Sequence, residues 1–354
     1  MLEEYLPRLD RIVDSAHVAR SEALTLAAVS YEPVERIPRL VNCPVPGWPA
    51  PTYRETFDDM EKMLASQLSS VWIGAHVRDD RVYTVRANYG VGTVASMFGC
   101  QSRLVDDVSM PWPAHLSDEE LDKILDSGKI DIESGLGGRV FETERYYLKM
   151  LSRYENLAAN VHVFMCDTQG PFDSAHIIMG HKIYTEIYDN PERVHRLLDL
   201  VTDTTIRFSR AQREIIGESG ATSYHTHVMV RGGVRACDDS GINLSPALYR
   251  EFSKPYNERL FAEFGGGWIH YCGSGKQILA DVLTTDGVTA VNFGNPEMQD
   301  LRSVYAQAAP HRVAILSWIG SASELPEEVT TGVTTMESAA DIEAARALTG
   351  FRQP

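Results

Sequence analysis

The sequence predicts an α/β fold, a closed (β/α)8 barrel with an N-terminal helical and irregular extension, and three observations carry that prediction. Beyond about residue 140, short apolar runs alternate with amphipathic helical stretches. The runs are four to seven residues long and apolar on both faces, the pattern of strands buried in a parallel sheet. Four or more such units follow one another, which favours closure into a barrel over the open doubly wound sheet that the pattern alone also admits. With 354 residues, 44% hydrophobic and 23% charged, the chain is long enough for one large core and lacks the apolar depletion of disordered chains.

Taken in order, Leu2, Leu6, Leu9, Ile12 and Val13 fall on one face of a first helix, and helix-favouring residues continue over 16–29. Six prolines between Pro33 and Pro51 exclude regular helix and central strand, so an ordered arm lying on the body is expected there. Helical spacing returns over 57–71 through Met60, Leu64 and Leu68. Residues 1–75 thus read as the extension packed on the barrel, and 76–354 as the barrel itself. The glycine- and proline-containing stretch 89–114 resembles an insertion that covers a substrate.

The regular part opens with a helix over 145–159 and a buried strand over 161–166. A helix over 191–216 takes Asn190 as N-cap and Pro191 at its first position, and a strand is expected around 227–230. Ser245-Pro246 opens the next helix, which runs through Tyr249, Phe252, Tyr256 and Leu260 to the glycine run 265–267. That run reads as a helix stop, because it lacks the strand-before, helix-after setting of a dinucleotide loop. Strand 268–272, helix 277–283, strand 288–293, helix 297–308, strand 313–318 and helix 339–348 complete the series.

A formal charge of -16 argues against a nucleic-acid or anionic-membrane surface, since either partner needs a basic patch. An anionic substrate would have to find local cations inside a pocket. No apolar run approaches the roughly 18–20 residues of a membrane span, and Glu3, Glu4 and Asp10 replace the basic start of a signal peptide, so the cytoplasm is the expected location. Five cysteines without a C-x-x-C pair suit reduced thiols.

In a barrel the strand ends meet on one face, so polar residues there are the informative ones. Three segments stand out: 166–173, 231–239 and 270–273. His270 and Cys272 are two positions apart, so in a strand both project to one side, and an imidazole with a thiolate is half of a zinc site. A buried cysteine beside a histidine bonded to backbone is the plainer explanation of the same spacing. One of Asp238 and Asp239 could orient His270 through its second nitrogen. Arg231, Arg235, Asp238 and Asp239 could instead be recruited to hold an anionic substrate, or form the charged ends of a solvated loop. His225 and His227 share a strand face in this reading, as satisfied core residues.

At these residues a resemblance enters. Ile269-His270-Tyr271-Cys272-Gly273 resembles the His-x-Cys-Gly element of uroporphyrinogen decarboxylase-like proteins, above all their corrinoid-dependent methyltransferase branch, where it supplies two zinc ligands. Gln169-Gly170-Pro171-Phe172-Asp173, Asp189-Asn190-Pro191-Glu192, Cys237-Asp238-Asp239-Ser240 and Leu244-Ser245-Pro246 with Tyr249, Phe252 and Pro255 are similar to that superfamily in order and spacing. Glu35-Arg36-Ile37-Pro38 is similar to its N-terminal Asp-Arg-x-Pro element. The resemblance implies a TIM barrel, with zinc on His270, Cys272 and Cys237, catalytic roles for Asp238, Asp239 and His270, and substrate contacts from Gln169, Asp173, Arg231 and Arg235.

Two departures bear on the reaction. The branch takes a third ligand from a C-terminal cysteine, where this chain has Thr330-Thr331-Gly332-Val333, so Cys237, Asp239 or another strand-end residue must complete the site. The arginine-rich N-terminal element of true decarboxylases is represented only by Arg36 and Arg39. The leading expectation is zinc-assisted methyl transfer between a corrinoid carrier and a thiol. The alternatives are a metal-independent decarboxylase of a tetrapyrrole or small carboxylate, and a non-catalytic corrinoid- or ligand-binding relative. The partners this admits are a small-molecule substrate, a corrinoid protein and a second copy of the chain.

Overall fold

The computed structural model describes residues 1–351. Eight strands build the centre: β1 (Arg39–Asn42), β2 (Thr84–Arg86), β3 (His162–Phe164), β4 (Val234–Cys237), β5 (Gly267–Tyr271), β6 (Val288–Phe293), β7 (Ala314–Ile319) and β8 (Val333–Ser338). Six of them pair in the order β1-β8-β7-β6-β5-β4, and β2 pairs with β3; every one of these pairings is parallel. The fold is a TIM barrel, with the strands following chain order and helices between them.

Two junctions in the ring are bridged by other means than a ladder. Between β1 and β2, the Asp80 N–H donates to the Arg39 carbonyl at 3.0 Å, and the Asp79 carboxylate accepts from the Val41 N–H at 2.8 Å. The buried Arg81 guanidinium, 2.7 Å from Asp79, holds that carboxylate in place. Between β3 and β4, the Gly170 N–H donates to the Cys237 carbonyl at 2.9 Å and the Thr168 hydroxyl to the Arg235 carbonyl at 3.3 Å.

Several elements differ from their sequence expectation. The proline-rich arm contains β1, because residues 39–42 are the proline-free interval between Pro38 and Pro44, and they pair on one side only in the six-stranded sheet. Segment 1–75 therefore contributes a strand to the sheet. The strand expected near 227–230 is one arm of an antiparallel hairpin, Thr222–His225 with Val228–Arg231. Its Val228 and Val230 pack with Leu40, Trp268, Ala290, Ala314 and Leu316, most of them near the starts of their strands, so the hairpin closes the N-terminal mouth of the barrel. His225 ends one arm while His227 lies in the turn after Thr226, whose φ is +52°, so the two do not share a strand face. Finally, the helix beginning at Pro246 breaks at Ser253 into Pro246–Phe252 and Lys254–Glu263, since Pro255 has no N–H for the Glu251 carbonyl.

The helix expected over 145–159 is likewise two, Gly137–Leu151 and Glu155–Asn160, while that over 191–216 stands as expected. Helix Pro191–Ile216 starts with the Asn190 side chain accepting the Arg193 N–H at 3.4 Å and ends at Gly217 with φ +77°. No helix among the described residues is long and apolar enough to cross a membrane.

Candidate active site

The site follows from strand alternation. On β4, Arg235 and Cys237 face the barrel interior while Ala236 and Asp238 face the helices; on β5, Trp268 and His270 take the inner positions. β4 and β5 are in register so that Cys237 lies opposite His270. One ligand atom from each of Cys237, Asp239 and His270 lies within 4.8 Å of the others. The Cys237 thiol donates to Asp239 Oδ2 at 3.1 Å, and His270 Nε2 is 3.9 Å from Asp239 Oδ1. Cys272 Sγ is 3.5 Å from the same His270 Nε2. Tetrahedral zinc with bonds of about 2.0–2.3 Å would set its ligand atoms roughly 3.3–3.8 Å apart, so a group spread over up to 4.8 Å would have to draw in by about 1 Å to seat it.

The state of His270 is set by a neighbour. Asn292 Nδ2 donates to the Leu316 carbonyl at 2.7 Å, which turns its Oδ1 toward His270 Nδ1, also at 2.7 Å. An amide oxygen only accepts, so His270 carries its proton on Nδ1 and presents a bare lone pair at Nε2. That is the tautomer a metal-bound histidine requires. Burial, with Arg235 next, pushes the His270 pKa down and keeps the ring neutral. Burial, with Asp173 next, pushes the Cys237 thiol well up, and burial with Asp239 pushes Cys272 up to about 11. Both sulfurs are therefore protonated near neutral pH unless a cation displaces their protons.

The model of the family Uroporphyrinogen decarboxylase (URO-D) matches residues 89–316, well over half of the chain. The chain belongs to the uroporphyrinogen decarboxylase family. Similar curated relatives include the uroporphyrinogen decarboxylase of Xanthomonas axonopodis pv. citri (strain 306), 37% identical over 92 residues, which are 25% of this chain and 22% of that protein. The uroporphyrinogen decarboxylase of Syntrophotalea carbinolica is 32% identical over 110 residues, 30% of this chain and 28% of the relative. The aligned stretches span less than a third of either relative's length. Among solved structures, a methyltransferase from Methanosarcina mazei superposes with a TM-score of 0.63 at 14% identity, covering 93% of this chain and 97% of that one, a likeness of fold.

Within this URO-D family member, the residues expected to act are distributed unevenly. Asp239, His270, Cys237 and Cys272 come together. Asp238 does not join them: fully buried, it accepts from the Tyr249 hydroxyl at 2.6 Å, the Asn257 amide at 2.8 Å and the Ser253 hydroxyl at 3.1 Å. It pins the broken helix to β4. Asp173, at the start of helix Pro171–Met179, accepts the backbone N–H of Asp239 at 2.9 Å and of Ser240 at 2.6 Å, and so fixes the loop that carries Asp239. Cys272 completes that framework by donating its N–H to Asp239 Oδ1 at 2.5 Å.

Arg235 lies inside the barrel, 2.7 Å from Asp167 Oδ1 and with its guanidinium 5.6 Å from the Trp268 ring centroid. Arg86 pairs with the same carboxylate. Burial alone would raise the Asp167 pKa, but Arg235 and then Arg86 outweigh it and hold the group well below the usual carboxylate range. Gln169 is buried, and its Nε2 has no hydrogen-bond partner among the described residues. Arg231 is not brought to the site: it ends the hairpin arm and donates to the Arg312 carbonyl at 2.7 Å, at the opposite mouth. The sequence reading gave no role to Asn292, Arg86 or Asp167, although Asp167 lies in the 166–173 segment it singled out. In the sequence Asn292 stands out only as the one amide of the strand Val288–Phe293, and Asp167 as the acid just after the 161–166 run.

Proposed function

We propose that this chain is an enzyme that would hold zinc through three of Cys237, Asp239, His270 and Cys272, with the fourth tetrahedral position left to a substrate thiol, and that it transfers a methyl group from a corrinoid carrier to that thiol. The observation that carries the reading is the bare Nε2 of His270, aimed at a carboxylate and two sulfurs at the C-terminal ends of β4 and β5. A bound zinc ion would supply Lewis acidity, making a thiol substrate a thiolate near neutral pH. The chain's own residues do the rest. Asn292 keeps the His270 proton on Nδ1, Asp173 and the Cys272 N–H keep Asp239 in position, and Asp167 cancels one of two guanidinium charges nearby.

The test is metal analysis of the purified protein. About one zinc per chain is expected, falling to none in His270→Ala and in Cys237→Ala. Methyl transfer at full rate by a rigorously zinc-free protein refutes the reading. A metal-independent decarboxylase is the second reading, favoured by the interior guanidiniums of Arg86 and Arg235, which could receive a carboxylate in place of Asp167. Carbon dioxide release from a porphyrinogen would promote it.

A further inference from the structure

Beside the candidate zinc ligands lies a chamber of about 230 Å³ inside the barrel. Its walls are mainly apolar, from Trp268, Phe293, Leu316, Ile319 and Met336. Its polar contributions come from Ser317, Asn292 and the hairpin turn at Thr226 and His227. Two lining residues connect it to the site. Asn292 holds the His270 ring, and Gly294 is packed so tightly on Cys272 that a Cβ there would sit 2.5 Å from Sγ.

We propose that this chamber receives the apolar body of a small, uncharged thiol whose sulfur reaches the cluster of Cys237, Asp239 and His270. The inference rests on the zinc reading for its sulfur and on the chamber alone for its size and charge. A cavity of about 150 Å³ holds benzene, so by proportion this one takes roughly nine non-hydrogen atoms, one ring or a short chain. A tetrapyrrole macrocycle is several times too large to enter.

The charge argument is equally direct. His227 is the one lining residue that can ionise, and burial, with Arg81 next, pushes its pKa down to about 3, so it is neutral. Neither Arg86 nor Arg235 lines the chamber, and both pair with Asp167 outside it. A carboxylate or sulfonate in the chamber would be desolvated without a counter-ion, which is strongly unfavourable. An aryl or alkyl group meets no such cost and gains aromatic and aliphatic contacts.

Calorimetric titration of the full chain, zinc-loaded and chelator-treated, tests this with three probes: benzyl mercaptan, its sulfur-free analogue benzyl alcohol, and the anionic 3-mercaptopropanoate. Benzyl mercaptan should bind the loaded protein at least tenfold more tightly than 3-mercaptopropanoate, and benzyl alcohol should bind with or without zinc. Met336→Trp, which fills the chamber, should weaken both benzyl compounds at least tenfold with zinc content unchanged, and Met336→Leu should restore them. Equal or tighter binding of 3-mercaptopropanoate overturns the proposal, as does benzyl alcohol binding that is absent or indifferent to Met336→Trp. A protein that binds no zinc yet binds benzyl alcohol in a Met336→Trp-sensitive way keeps the chamber and removes the metal reading, so the two failures are separable.

Discussion

Replacing Asn292 puts the geometry of the site to a quantitative test. Asn292→Ala removes two bonds at once, the acceptor for the His270 Nδ1 proton and the donor to the Leu316 carbonyl, each 2.7 Å long. Without the first, His270 is free to carry its proton on Nε2, where it must be displaced before a metal can bind. Partners of this kind are worth about 10–100-fold in metal affinity, or about 1.4–2.7 kcal/mol. Without the second, a buried carbonyl oxygen loses its partner, at about 1–3 kcal/mol of stability.

The two losses are read by different assays: zinc affinity by competition with a chromophoric chelator, stability by urea unfolding of the metal-free protein. Asn292→Asp separates them further, because a carboxylate still accepts from His270 but, when ionised, no longer donates to Leu316. It should keep or raise zinc affinity while unfolding at lower urea. Wild-type zinc affinity in Asn292→Ala, or equal losses in both variants, would refute the claim that Asn292 fixes the tautomer of His270.

Other perturbations follow from the same structure. Gly294→Ala places a methyl group 2.5 Å from Cys272 Sγ and should lower zinc affinity as far as Cys272→Ala does; an unaffected Gly294→Ala removes Cys272 from the ligand set. Asp238→Ala strands three buried donors and should cost about 3–5 kcal/mol in urea unfolding, with zinc per folded chain unchanged. Glu144 is buried with no partner for either oxygen among the described residues, and burial pushes its pKa up to about 9. The folded chain thus retains a proton that the unfolded chain releases above about pH 4.5, so stability falls by up to about 1.4 kcal/mol per pH unit toward pH 9. Glu144→Gln should abolish that slope between pH 6 and 8, and an identical slope in both proteins would count against it. Asp167→Asn leaves Arg86 and Arg235 without their counter-charge and should cost about 3–5 kcal/mol of stability while weakening zinc binding, the latter read by the same chelator competition.

Much of the barrel is readable from the sequence because a strand buried on both faces is a run of apolar residues, and β5, β6 and β7 are such runs. β1 is not, since flanking prolines mask it and its place comes from pairing with β8. The hairpin arm at Val228–Arg231 has the periodicity of a strand, and periodicity says nothing about which strand it pairs with. Gly232-Gly233, between Arg231 and Arg235, was the available sign that the two arginines belong to different elements. In the site, His270 and Cys272 follow from their two-residue spacing. The same alternation, applied from Cys237, turns Asp238 outward and would have separated it from Asp239. Asn292 has no sequence signature of its role until the β5–β6 register sets it beside His270.

The interior charges also account for where a cation could sit in a chain of net charge -16. Arg86 on β2 and Arg235 on β4 place two positive charges in one half of the barrel, and the half formed by β6, β7 and β8 supplies mostly apolar chamber wall. Asp167 cancels one of the two guanidiniums; Asp239, a second carboxylate near Arg235, belongs to the candidate ligand set. A dication there is opposed by one residual positive charge unless the thiols ionise, and ionisation of Cys237 and Cys272 is what a dication drives. With two thiolates and Asp239 against the metal, the cluster carries a charge near -1 that the residual guanidinium neutralises. Two thiolates beside Asp239 thus balance the dication against the arginines, whether both come from Cys237 and Cys272 or one comes from a substrate thiol.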